Sequence, residues 1–388
     1  MFTKRLLRTL ALLTAVLLLA SACANANQAD DTVSAEDDTV STEEGTPVAD
    51  DRPFEGQTLR VANFGGSWND AVRDTTGVRF EEETGAQVEY IEGNPPEHAA
   101  KLYATVGQEV PFDVIYTDGK VQTDLVKEGV LLEIDPEAVP TAEEIAESFP
   151  PINPGFSPGN NLFFTGIAYN TEKFEELGLD PPTSWDALWQ EELAGRVAVP
   201  DISTVMGMPV TMAAAAVATG GDLMDVEAGV LKLAELDLYS LYSASGDMQN
   251  DFSTGDIWIA AGADGRAWQL ADEGLPIDFV VPELPGVGER GWAEVGYTDI
   301  VKGTEVEELA KVWMRIAHEP ESMVEIMKLT GFAPPLEEAL LQVFEEDPVW
   351  KERHPSASEW KEIMVADWNE VSPLEAQTID LFNRHLGG

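Results

Sequence analysis

Short β-type runs alternate with helical stretches along most of this chain, and that alternation constrains its fold more than any other feature. Thr58–Leu59–Arg60–Val61–Ala62–Asn63–Phe64 reads as a strand that ends in Gly65–Gly66–Ser67. A predicted helix runs from Trp68 to Glu83, with Gly85 as its cap. Gln87–Ile91 is a second strand, a helix surrounds His98–Val106, and Phe112–Tyr116 is a third strand ending at Thr117–Asp118–Gly119. A helix over Val121–Glu128 leads to Gly129 and a predicted strand over Val130–Ile134. After the Pro-, Gly- and Asn-rich stretch Ile152–Asn161, Phe163–Asn170 reads as an extended strand. A second region follows, with strands predicted at Val197–Asp201, Ile257–Ala261 and Phe279–Pro282. Its helices are predicted at Val205–Ala218, Val226–Leu236 and Val306–Ala317, and the tail from Leu336 reads mostly helical. This order predicts a mostly parallel α/β sheet. Ligands of such sheets bind beyond the carboxyl ends of strands, which places Phe64–Trp68 and Tyr116–Gly119 on one rim.

Charge removes whole classes of partner. The 388 residues carry 71 Asp and Glu against 23 Lys and Arg, a formal charge of −48. Phosphate backbones need lysine and arginine, so nucleic acid is excluded as a partner. Two explanations of the acidity stand side by side. One is a cleft that draws in a cation; the other is adaptation of the whole surface to high salt, favoured by acids spread along the entire chain. No single Asp or Glu is therefore informative without its position. The four histidines, His98, His318, His354 and His385, show no metal-ligand spacing, so no metal or cofactor is expected. Neither a Gly-x-Ser-x-Gly elbow nor a phosphate-binding Walker loop occurs, which speaks against an enzyme.

Residues 1–23 have the architecture of a secretory signal: a basic start with Lys4, Arg5 and Arg8, an apolar stretch from Thr9 to Leu19, then Ala20–Ser21–Ala22 before Cys23. Loss of those three bases takes the formal charge from −48 to −51. Cys23 is the sole cysteine, and a small triplet ending in cysteine resembles a lipobox, with Ala20 and Leu19 making the match relaxed. Lipidation at Cys23 is the expectation, with plain cleavage after Ala22 as the alternative. The acidic segment 24–54, which repeats Asp30–Asp31–Thr32–Val33–Ser34 as Asp37–Asp38–Thr39–Val40–Ser41, is expected to be a solvated tether.

Several phrases in order then resemble a known family. They are Phe80–Glu81–Glu82–Glu83–Thr84–Gly85; Gly166–Ile167–Ala168–Tyr169–Asn170; Pro182–Thr183–Ser184–Trp185 before Gly195–Arg196 and Val199–Pro200–Asp201; Gly255–Asp256–Ile257–Trp258 before Asp264–Gly265–Arg266; Val301–Lys302–Gly303–Thr304; and Gly331–Phe332–Ala333–Pro334. From about Thr58 to His385 the chain resembles the extracellular solute-binding proteins of ABC importers, in the branch that includes spermidine/putrescine-binding proteins. The resemblance implies a two-lobed periplasmic-binding-protein fold (type II), two mixed sheets joined by two hinge crossings. Lobe 1 would comprise 55–164 plus 297–338, and lobe 2 would comprise 165–296 plus 339–388. It further implies a monomer, held outside the cytoplasmic membrane, that closes on a small cationic solute such as a polyamine and presents it to permease subunits.

Carried over position by position, the resemblance implies a ligand-binding set of Phe64, Ser67, Trp68, Thr117, Asp118, Asp201, Asp264, Trp292, Glu294 and Phe332. Phe64 stands where the family has a tryptophan, Ser67 at a following aromatic position, and Phe332 for a tyrosine. Gly119 and Ala263 replace aromatics, and Thr204 replaces an acidic partner of Asp201. Trp368–Asn369 stand where the tail would add a polar contact. Plainer readings remain beside these. Asp201 would serve as a helix cap, Asp118 and Asp264 as turn acids, Glu294 as surface charge, and Trp185, Trp189 and Trp258 as core. Gly65–Gly66–Ser67 would suit the acid group of a zwitterionic ligand, although turn geometry alone explains it. Phosphonate, thiamine or ferric ion remain alternative ligands within the same fold.

Overall fold

The computed structural model describes residues 52–387 apart from Pro136. Cys23, the signal segment and most of the expected tether lie outside the described residues. Ten strands make up the sheet: β1 Thr58–Asn63, β2 Gln87–Glu92, β3 Val114–Asp118, β4 Asn161–Asn170, β5 Val197–Pro200, β6 Leu238–Tyr242, β7 Ile259–Ala263, β8 Ile277–Val280, β9 Arg290–Ile300 and β10 Ile363–Val365. Their hydrogen-bonded order is β2-β1-β3-β9-β4-β7-β5-β6, with β10 beside β9 and β8 beside β4. β1 pairs in parallel with β2 and β3, and β5 pairs in parallel with β6 and β7. These two parallel groups are the two halves of the molecule.

The long strands β4 and β9 join the halves. β9 pairs with β3 over Gly296–Ile300, and β4 pairs with β7 over Thr165–Tyr169, all antiparallel. Between those stretches β4 and β9 pair with each other, Asn161–Thr165 against Trp292–Gly296. The two sheets are thus linked into one continuous ladder by their own crossing strands. Gly296 makes the approach feasible, because a Cβ there would run into the Asn161 side chain.

Helices cover the sheet, several of them with one apolar face, whereas Gly207–Thr219 is buried all round through Ala216. In the helix Glu307–Ala317, Leu309, Ala310, Trp313 and Met314 are buried beside Phe80 and Tyr116, while Glu307, Glu308 and Lys311 pair on the outer face. The tail helix Trp368–His385 buries Trp368, Val371, Leu381 and Phe382 in the apolar cluster of the β5–β7 half.

Two local expectations change. Val130–Ile134 forms only a single bridge, Leu131 to Val301, because the chain meets the end of β9 and turns away. β9 itself lacks a clear strand signature: Gly291, Gly296, Glu294 and Asp299 punctuate it, yet every residue after Arg290 is buried. A central strand covered on both faces needs no alternation; of its two acids, Asp299 is held by Gln122 and the Ser157 N–H.

Candidate functional site

The carboxyl ends of the parallel strands from both halves open onto one cleft of about 820 Å³. From the β1–β3 half, Phe64, Trp68, Tyr116, Thr117 and Asp118 line it; from the β5–β7 half, Ile202–Met206, Tyr242–Ala244, Ala263 and Arg266 do. Phe163 of β4, Gly296 of β9, Phe332 and Trp368 also line it.

The aromatic wall is built from sequence upward. Asn63 ends β1 fully buried, and its Oδ1 accepts the Phe64 N–H (2.9 Å) and the Trp68 indole N–H (2.8 Å). Its Nδ2 donates to Asn69. Trp68 is thereby fixed edge-on to Phe64 (6.3 Å between ring centres) and Tyr116 (6.2 Å), and it leans on Phe332 (5.6 Å). Phe332 in turn meets Phe163 at 5.7 Å. Such ring pairs prefer offset and edge contacts and present π faces to a cation.

The glycine turn after β1 serves a carboxylate of its own chain. Gly66 N–H and Asn69 Nδ2 both donate to Glu92 (3.4 and 3.2 Å). That leaves the turn less available to an anionic ligand.

One carboxylate lines the cleft floor and a second lies behind it. Asp118 caps the helix Gly119–Lys127 by accepting the Val121 N–H (2.8 Å), and burial pushes its carboxyl up while that bond and Lys120 oppose the rise. Glu294, 2% exposed on β9 beside Phe163, lies near enough to Asp118 for their charges to interact. Burial first, and Asp118 second, push Glu294 well above the ordinary carboxylate range; a hydrogen bond from Trp368 opposes them. Glu294 Oε1 is buried with no partner among the described residues. A cation entering here would relieve both groups. Gly119 admits the lid of this floor, since a Cβ would fall 2.8 Å from the Trp368 ring. The indole from the tail helix thus fills the space where the family resemblance leads one to expect an aromatic at position 119.

The sequence profile of the bacterial extracellular solute-binding proteins matches residues 76–354. The chain belongs to this family. This binding protein is 26% identical over 246 residues to a putrescine/cadaverine-binding protein of Pseudomonas aeruginosa, covering 57% of the chain and 66% of that relative. The match therefore spans slightly less than two thirds of the curated relative's length. A solved ABC transporter protein from Clostridium perfringens superposes with a TM-score of 0.69 at 23% identity, covering 84% of this chain and 99% of that one. The spermidine/putrescine ABC transporter substrate-binding protein of Streptococcus pneumoniae superposes with a TM-score of 0.66 at 20% identity, covering 84% and 99%. These neighbours share the two-lobed type II fold.

Of the residues singled out from sequence, Phe64, Trp68, Thr117, Asp118 and Phe332 line the cleft of the binding protein. Glu294 sits one layer behind, joined to the lining through Trp368. Four lie elsewhere. Ser67 is exposed at the start of its helix. Asp201 turns back on its own loop, accepting the N–H (2.9 Å) and hydroxyl (2.6 Å) of Ser203, and so shapes a segment that lines the cleft without lining it itself. Trp292 is fully buried in the core with Ile167 and Leu284. Asp264 is buried at the crossing strand, where its Oδ1 accepts the Phe164 N–H (3.1 Å) and its Oδ2 lies 3.5 Å from His354 Nδ1. Burial raises Asp264 to about 7 and lowers His354 to about 3. Sequence reasoning missed Phe163, Tyr242 and Arg266; of these, only Tyr242, the last residue of β6, had a position that could have flagged it.

Proposed function

We propose that this binding protein captures a small organic amine in the cleft and presents it to the permease of an ABC importer. The Asp118–Glu294 pair carries this reading: two carboxylates raised by burial, Asp118 at a strand end in the lining of an aromatic-walled cleft and Glu294 on β9 behind it, gain most from an ammonium group. Relatives named for putrescine, cadaverine and spermidine make diamines and polyamines the first candidates by kinship. Closure of the halves on the amine would be driven by ligand contacts made from both sides.

The test is a thermal-shift and calorimetric panel in which each amine is paired with an amine-free solute of matched length. Amine at about 100 times its dissociation constant should add ~2.7 kcal/mol of stability. Uptake of amine-free solutes alone would overturn the reading. The family and the leader sequence support an extracellular placement, and the leader sequence alone supports a lipid on Cys23. Cys23→Ser should release the protein from membranes into the medium or periplasm; unchanged membrane retention would count against the anchor.

A further inference from the structure

Two cationic side chains line the cleft, and they differ. Lys120 is held by Asp124 (3.1 Å) and Glu375 (3.3 Å). Arg266 stands in the first turn of the helix Asp264–Asp272, in the half opposite Asp118, and is half-buried. Among the described residues no carboxylate comes within ion-pair distance of it. Its guanidinium makes one internal bond, from Nη1 to Gln269 Oε1 (3.1 Å). Burial lowers its pKa, and no acid raises it. In a chain with 71 acids and 23 bases, a cation set on a cleft wall without an acid is against the odds. Arg60, Arg290 and Arg353, by contrast, each pair with a carboxylate. The same wall carries Ser243, Ala244 and Gly246 at the start of the helix Ser245–Thr254, where no side chain caps the free backbone N–H groups. Gln249 ties that helix to the Arg266 carbonyl (3.5 Å) and to Gln269 (3.1 Å).

We propose that Arg266 receives an acidic group of the ligand, a carboxylate in the simplest case, so that the solute is a zwitterion with its ammonium at Asp118 and Glu294 and its acid group on the opposite wall. This assignment rests on the amine reading above and narrows it. A guanidinium presents a fork of donors that matches a carboxylate. A second ammonium placed there would face a partly desolvated like charge. Uncapped helix N–H groups beside Arg266 add favourable donors for an anion.

The experiment is calorimetric titration of the full chain with matched pairs: putrescine against γ-aminobutyrate, and cadaverine against δ-aminovalerate. The amino acid of each pair should bind more tightly. Arg266→Gln should weaken the amino acid by about 10- to 100-fold, as expected for loss of charge-assisted hydrogen bonds, and should tighten the diamine by relieving its second ammonium of a like charge. Arg266→Lys should keep part of the affinity, because it keeps the charge and loses the fork. A melting temperature near that of the wild type separates a lost subsite from a lost fold. Preference for the diamine, with amino-acid affinity unmoved by Arg266→Gln, overturns the proposal while the amine reading stands. Arg266-dependent uptake of butyrate or valerate, without uptake of either amine, retains the anion subsite and overturns the amine reading. Uptake of none of these solutes by the wild type overturns both.

Discussion

Glu294→Gln should weaken the tightest-binding amine roughly a hundredfold or more and, at the same time, stabilise the empty protein at neutral pH. The first half follows from removing one partner of a buried charge pair, which costs about 2–5 kcal/mol of binding. The second follows from burial. Glu294 is 2% exposed and is held well above its ordinary value of 4.5 by desolvation and by Asp118. A carboxyl raised in the folded state binds its proton more tightly there than in the unfolded chain. Wild-type stability therefore falls as pH rises beyond that ordinary value, and glutamine does not share the loss. The stability gain of the variant should vanish near pH 4 and grow toward neutrality. Titration calorimetry at neutral pH and denaturant unfolding across pH measure the two halves separately. Unchanged affinity would place Glu294 outside the binding chemistry, and a pH-independent difference in stability would refute the burial argument. A residue that costs stability when empty and contributes affinity when filled is the usual exchange at a functional site.

Trp292→Ala should have the opposite profile, a loss of about 3–5 kcal/mol of stability with little change in the affinity of the protein that remains folded. Trp292 is fully buried on β9 and packs with Ile167 and Leu284, so truncation leaves a cavity where the two halves join. Unfolding in denaturant reads the loss. A cleanly folded variant with abolished ligand uptake would instead return Trp292 to the site, where the family resemblance had put it.

Trp292 and Glu294 show how far a sequence can be read here. They lie two positions apart on one strand and read as a single motif, yet one belongs to the core and the other to the layer directly behind the cleft lining. Residues two apart on a regular strand share a face, so alternation gives no cue to which of the two side chains meets the site; only their position along the strand separates them. The parallel units were legible because their apolar runs end in glycine, asparagine or aspartate at turns, as at Asn63–Gly66 and Asp118–Gly119. Those same turns carry Phe64, Trp68, Thr117 and Asp118 at the cleft. Asp201 shows the limit of that logic. It stands after a strand end, as expected, but its side chain is spent on Ser203. Arg266 went unread because its meaning lies in an absent carboxylate, and absence of a partner has no local signature.

Trp368 has a further consequence, one of timing. The indole that lies over Gly119 comes from the last helix of the described chain. A ribosome releases the walls of the cleft long before it releases this residue. Until then the floor beside Asp118 lacks its cover, and a growing or prematurely stopped chain carries an incomplete receptor, however well its strands have formed. The contact also spans most of the sequence, and closing so long a loop is slow. Ligand competence is thus among the last properties this protein acquires, after its secondary structure and most of its core are in place.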